Sequence, residues 1–287
     1  MRSIKVPLAV YVMFSNKRFV VGLVTLIIIV LMAVVGPIVY PRNPFEKREQ
    51  FLPPSLEHPL GTDGFGRDVL AIFLHSINSS LMIGLVAAII SLAIGLVIGA
   101  IAGIKGGLVD EALMSFTNII LAIPNWLIVV LIASFLPVES RGPHIMAILL
   151  GAFAWPWFAR AIRAMFMSLR QREFVALSKM AGYNDIRLVF EDLLPLIGPY
   201  IINAFAGFMG GAIAGEAGVA MLLSGQPMTA YLSLGMMLVF ANHFMAYVTG
   251  AWWLFLPPGL TIIALTTSLS LIGVGLEPLF NPRLRES

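Results

Sequence analysis

The chain contains no cysteine, which removes disulfide staples and thiolate chemistry from consideration. Charge is scarce too: 11% of the 287 residues are Asp, Glu, Lys or Arg, where a soluble domain carries roughly 25%. With 59% apolar residues and a mean hydropathy of +0.93, a soluble globular domain is excluded and an integral membrane protein is indicated. No Gly-x4-Gly-Lys-[Ser/Thr] phosphate loop occurs, so the chain does not cradle ATP by that route. His-Glu-x-x-His and Gly-x-Ser-x-Gly are absent as well, which excludes two common hydrolytic chemistries. The four histidines (His58, His75, His144, His243) show no metal-ligand spacing, so no metal site is expected. A net charge of +3 gives no reason to expect a nucleic-acid partner.

What is present is a series of long apolar runs. A bilayer-crossing helix needs about 20 apolar residues, and six stretches qualify: 19–40, 79–104, 112–136, 144–167, 193–223 and 251–275. The first is too long for the core of a signal peptide and is read as a true span. The expected fold is therefore an all-α membrane protein of six transmembrane helices in a single domain covering 1–287. Residues 1–18 and 276–287 are terminal tails, 41–78 an insert, and 79–275 a five-helix core. With the N-terminus inside, thirteen Lys and Arg fall on the cytoplasmic side and five on the outer side. The bias puts both termini in the cytoplasm of a multi-pass inner-membrane protein.

Between the fourth and fifth runs lies a charged island. Six Lys and Arg occur between Arg160 and Arg187, and none between Leu188 and Pro282. Within it, Glu173 to Ala181 has helix-forming composition, with Phe174, Leu177 and Ala181 at helical spacing on one face. Gly182 then supplies a left-handed stop. Asn184 or Asp185 caps a second helix beginning near Ile186, and Pro195 sits where that helix enters the fifth span. The expected product is a helix–turn–helix over 171–192, facing the cytosol. It reads either as a docking surface for a soluble partner or as an interfacial helix resting on lipid headgroups.

Two spans carry glycine at every fourth position: Gly95, Gly99 and Gly103 in the second, Gly207, Gly211 and Gly215 in the fifth. Such stripes let helix backbones approach closely. They serve ordinary helix packing or face a partner subunit or a moving pathway. The Pro-punctuated insert is expected to be an ordered extracytoplasmic lid with an interfacial helix. In it, Asp63-Gly64 reads as a turn, Asp68 caps a helix beginning at Val69, and Arg67 is placed to pair with both Asp63 and Asp68. Glu216 is the one acidic residue deep in an expected span, so it faces protein or water. It is a candidate for the substrate path or for a pairing with a neighbouring helix. Trp155, Trp157, Trp252 and Trp253 are assigned to interfacial belts at span ends.

The spacing of Gly182 and Leu194-Pro195 resembles the loop that marks permease subunits of binding-protein-dependent ABC importers. His58-Pro-Leu-Gly-Thr-Asp-Gly-Phe-Gly-Arg-Asp-Val-Leu70 is similar to the signature ahead of the second span in the dipeptide/oligopeptide/nickel branch. Pro257-Pro-Gly259, Leu271-Ile-Gly-Val-Gly-Leu276 and Asn281-Pro-Arg283 resemble the C-terminal end of its second, C-type permease. The chain departs from the loop pattern in having Ala176-Leu177-Ser178 for Glu-Ala-Ala, and Asp192 for an Ile.

The resemblance implies a type I-like permease that pairs with a second, homologous permease. Two ATP-binding subunits would hold ATP and Mg, and an extracytoplasmic binding protein would deliver the cargo. This chain would be embedded in membrane lipid, hold no cofactor and perform no catalysis itself. Coupling to the ATPases would fall to Glu173, Phe174, Leu177, Lys179, Gly182, Asn184, Asp185, Leu194 and Pro195. The extracytoplasmic signature would comprise Leu60, Gly61, Thr62, Asp63, Gly66, Arg67 and Asp68, which read as a structural clasp or as a contact for the binding protein. The cargo implied is a di- or oligopeptide, with oligosaccharides and metal chelates as alternatives. An ion-coupled secondary transporter is the rival class, for which the only mid-span ionisable group is Glu216.

Overall fold

The computed structural model describes residues 8–137, 140–223 and 231–280. The C-terminal Asn281-Pro-Arg283 motif and residues 281–287 of the expected tail 276–287 lie outside them. Every regular element among the described residues is helical.

An amphiphile-free apolar segment forms α1 (Leu8–Ser15), and Asn16 then caps α2 (Lys17–Val39) by accepting a hydrogen bond from the Arg18 N–H at 2.9 Å. Within the expected tail 1–18, α1 packs on α2 and on the last helix. Residues 41–67 of the insert contain no helix. They form a chain of turns joined by isolated bridges between Lys47 and Arg67 and between Thr62 and Asp68, so the expected interfacial helix is corrected to irregular backbone. Five prolines in 41–59 remove the amide donors that a helix requires.

Helix α3 (Val69–Lys105) starts well before the expected residue 79 and is the central strut, packing on α2, α6, α7 and α10. The expected third span is broken. Helix α4 (Gly107–Ala122) and α5 (Asn125–Phe135) meet at 76°, because Pro124 lacks the N–H that would continue the ladder. The fourth is broken likewise into α6 (Pro143–Ala154) and α7 (Pro156–Arg170), bent by 42° at Pro156. Four helices are long and apolar enough to cross alone, and six crossings result if each bent pair is one span.

The island supplies α8 (Glu173–Met180) and α9 (Asp185–Arg187). A π-helical turn over Leu188–Leu193 joins α9 to α10 (Leu194–Leu222) without interruption. Between α10 and the final span lie α11 (Leu234–His243) and α12 (Ala246–Thr249), then a 3-10 turn at Trp252–Leu254 and α13 (Leu256–Phe280). Sequence reading missed α11: ten residues cannot span. Its Leu234 and Ala241 are nonetheless fully buried.

The two glycine stripes behave differently. A Cβ added at Gly99 would come 2.5 Å from the Ala159 carbonyl, and one at Gly95 or Gly103 would press on Phe158 or Phe166. The first stripe is thus needed for α3 to lie against α7. At Gly207 and Gly211 an added Cβ meets nothing within 4 Å.

Candidate functional site

Two groups of the residues singled out from sequence are assembled at opposite ends of the fold. On the island, α8 ends in a left-handed residue, Gly182, at φ +87°. The Gly182 N–H donates to the Lys179 carbonyl and the Tyr183 N–H to the Ser178 carbonyl, each at 3.0 Å. Together these close the paired 5→2 and 6→1 bonds of a helix C-terminus. Asn184 then caps the next helix, its side chain accepting from the Arg187 N–H at 2.8 Å. Arg187 bonds Glu191 at 3.0 Å and lies 3.9 Å over the Tyr183 ring, which stiffens the turn.

The inward anchor of α8 is Val175, 1% exposed, which belongs to the same core as Leu188 and Leu193. Sequence reading missed Val175; alternation within an eight-residue helix gives no signal for which face turns inward. Phe174, Leu177, Met180, Ile186 and Phe190 stand exposed, Leu177 at 65% and Met180 at 85%. Glu173, Lys179 and Asp185 are exposed as well, whereas Leu194 is half-buried and Pro195 lies in the first turn of α10. The helix–turn–helix therefore presents an apolar face held by a defined turn.

At the other end, Asp68 caps α3: one carboxylate oxygen accepts from the Ala71 N–H at 2.9 Å. Its other oxygen receives the Tyr40 hydroxyl at 2.7 Å, contacts His58 Nδ1 at 2.8 Å and pairs with Arg42 at 3.3 Å. Burial pushes the Asp68 carboxyl up, but the bonds from Ala71, His58 and Tyr40 outweigh it and hold the group below the usual carboxylate range. Burial, with the bond to the Asp68 carboxylate, pushes the Tyr40 hydroxyl up to about 12. Arg67 does not reach Asp68 as expected. Its guanidinium pairs with Asp63 at 2.7 Å, both groups buried, and stacks between the rings of Phe65 and Phe240 at 4.9 and 4.7 Å. The reason is competition: the end of α2 brings Tyr40 and Arg42 onto Asp68 first.

Gly66 adopts φ +76°, and a Cβ there would lie 2.1 Å from the Arg48 carbonyl; Gly61 is equally confined by the Leu52 carbonyl. Buried Thr62 donates to the Glu49 carbonyl at 2.7 Å, and its own carbonyl accepts from Trp253 Nε1 at 3.2 Å. Leu60 packs against the main core. The polar groups of this segment thus lock α2, the insert, α3 and the 3-10 turn before α13 together.

Glu216 is 1% exposed. Its carboxylate accepts from the hydroxyls of Tyr231 and Ser233, both at 2.8 Å, and from the Gly235 N–H. It fastens α10 to the start of α11. A Cβ at Gly235 would sit 2.4 Å from the Glu216 carboxylate, so glycine is required there. Trp155 is 3% exposed at the α6–α7 break, and Trp157 follows it. These two sit at the break between α6 and α7 and not at an end of that bent pair, where they were expected. Among the described residues no group of three His, Asp or Glu is placed to hold a metal ion.

The family model described as "Binding-protein-dependent transport system inner membrane component" matches residues 95–286, and that described as "N-terminal TM domain of oligopeptide transport permease C" matches residues 8–57. The chain is 35% identical over 284 residues to the dipeptide transport system permease protein DppC of Escherichia coli (strain K12), covering 94% of this chain and 91% of that one. It is 34% identical over 284 residues to the di/tripeptide transport system permease protein DppC of Pseudomonas aeruginosa (strain UCBPP-PA14), with 95% and 90% covered. The dipeptide transport system permease protein DppC of Haemophilus influenzae (strain ATCC 51907 / DSM 11121 / KW20 / Rd) is 30% identical over 282 residues, with 95% and 92% covered.

Proposed function

Because this chain belongs to the family of binding-protein-dependent transport system inner membrane components, we propose that it is the permease subunit of an ATP-driven importer of di- and oligopeptides. The observation that carries the cargo is the agreement of relatives named for dipeptide and di/tripeptide transport, each aligned over nearly the whole chain. In this reading the chain pairs with a second, homologous permease, two ATP-binding subunits dock beneath, and an extracytoplasmic binding protein delivers the peptide. The exposed apolar face of α8 and α9 is the ATPase contact, and the rigid turn at Gly182 sets its aim. Both termini and the island are cytosolic, supported by the charge bias. The clasp around Asp68 fixes the outer ends of α2 and α3, so that motion imposed from the cytosolic side is transmitted through stiff helices.

No observation favours an oligosaccharide or chelate cargo. Ion coupling through Glu216 has no support from its position inside the α10–α11 junction. The test is uptake of labelled dipeptide into proteoliposomes. Transport is expected only with all partners and ATP present, and neither ATP hydrolysis nor proton-driven uptake from this chain alone. Uptake driven by a proton gradient without nucleotide would refute the proposal.

A further inference from the structure

A cavity of about 320 Å³ opens beside α10, with Ser91, Asn125, Trp126, Trp157, Gly207 and Gly211 in its lining. Three features of it need one explanation. First, the chain around the α4–α5 break is uncovered: residues 121–127 are all exposed, and α5 begins with no side-chain cap. Non-helical backbone at membrane depth persists only where it is buried in protein or lines a water-filled space. The break falls near the middle of its bent pair and is not buried by this chain, and the adjoining cavity is a space able to wet it. Second, Trp126 and Trp157 are 50% and 46% exposed although they sit at mid-pair breaks and not at the pair ends, where membrane tryptophans collect. Third, the cavity volume is kept open by glycines that this chain does not itself require, since nothing lies within 4 Å of a Cβ at 207 or 211.

On the reading of the chain as a peptide importer subunit, we infer that this cavity is its cargo-contact site. Trp126 and Trp157 meet the passing side chains, Asn125 and the uncapped start of α5 meet the peptide amides, and Gly207 and Gly211 set the admitted bulk. Among the described residues no Asp, Glu, Lys, Arg or His lines the cavity. This half of the path therefore discriminates cargo by size and not by charge, and recognition of charged peptide termini falls to other parts of the assembly.

The test uses the complete importer with Gly211→Cys, this cysteine-free chain being read by mass after exposure to a charged, membrane-impermeant methanethiosulfonate. Labelling is expected, and it slows while triglycine is being transported. Absence of labelling would mean that lipid or the partner permease covers the position, and would overturn the inference. Gly211→Phe should then co-purify with its partners. It should cut uptake of triphenylalanine about tenfold or more relative to triglycine, with equal loss for Lys- and Glu-bearing tripeptides of matched size. Equal loss for triglycine and triphenylalanine, charge-selective loss, or failure to assemble would each overturn it. The unsubstituted importer separates the two levels of the argument: if it moves no peptide the proposed function fails, and if it moves peptides while the Gly211 variants behave identically, only the cavity assignment fails.

Discussion

Replacing Gly182 by valine isolates the turn of the island from everything else. The residue sits at φ +87°, a region that a β-branched side chain enters only with strain of about 1–3 kcal/mol. No clash adds to this, because a Cβ at 182 meets nothing within 4 Å. The cost is purely conformational and falls on the two 3.0 Å bonds, to the carbonyls of Lys179 and Ser178, that close α8. A bias of that size lowers the population of correctly aimed helix pairs by about 5- to 150-fold. No membrane helix is touched, so insertion and expression should stay at wild-type levels. The measurements are co-purification of the ATP-binding subunits and peptide uptake in proteoliposomes, and both should fall. Gly182→Asn, which tolerates the left-handed region, should recover most of the loss. Wild-type co-purification and uptake in the valine variant would refute the assignment of the turn as the device that aims the ATPase contact.

Leu177→Asp should reduce ATPase co-purification and uptake without changing membrane expression, because Leu177 is 65% exposed; Val175→Asp, at a position 1% exposed, should instead lower expression itself. A cysteine introduced at Asp185 should react with an impermeant thiol reagent from inside-out vesicles only, and labelling of intact cells would refute the orientation. Asp63→Ala leaves the buried Arg67 guanidinium without its partner and should cost about 3–5 kcal/mol, read as a lowered Tm in detergent. Asp68 is held below its usual carboxylate range when folded. Its ionised form therefore stabilises the protein above the unfolded pKa of about 3.9, and this contribution is lost as pH falls from there through the depressed folded value. The Tm difference between wild type and Asp68→Asn should accordingly be constant near neutrality and shrink below pH ~4.

The sequence by itself determined the features that depend on neighbours along the chain. Apolar runs of sufficient length placed α2, α10 and α13 close to the observed bounds, since crossing a bilayer is a matter of local length and composition. The turn of the island was equally legible: Gly182 and Asn184 act through bonds to residues three to five positions away, so their chemistry is visible without the fold. Asp68 as a cap belongs with them. Tertiary structure alone decided the rest, because the deciding contacts join residues far apart. Two glycine stripes of identical spacing came to different uses, one pressed against α7 and one facing open space at Gly207 and Gly211, according to which helix lies alongside. Arg67 stood next to two carboxylates in sequence, and the choice fell to Asp63 because Tyr40 and Arg42 arrive at Asp68 from the end of another span. Glu216 appears as an isolated mid-span charge until the segment entering α11, a helix too short to read as a membrane element, folds back and supplies Tyr231 and Ser233 as donors. A periodic sequence specifies that a face exists; what covers it, or whether anything does, depends on where the other helices go.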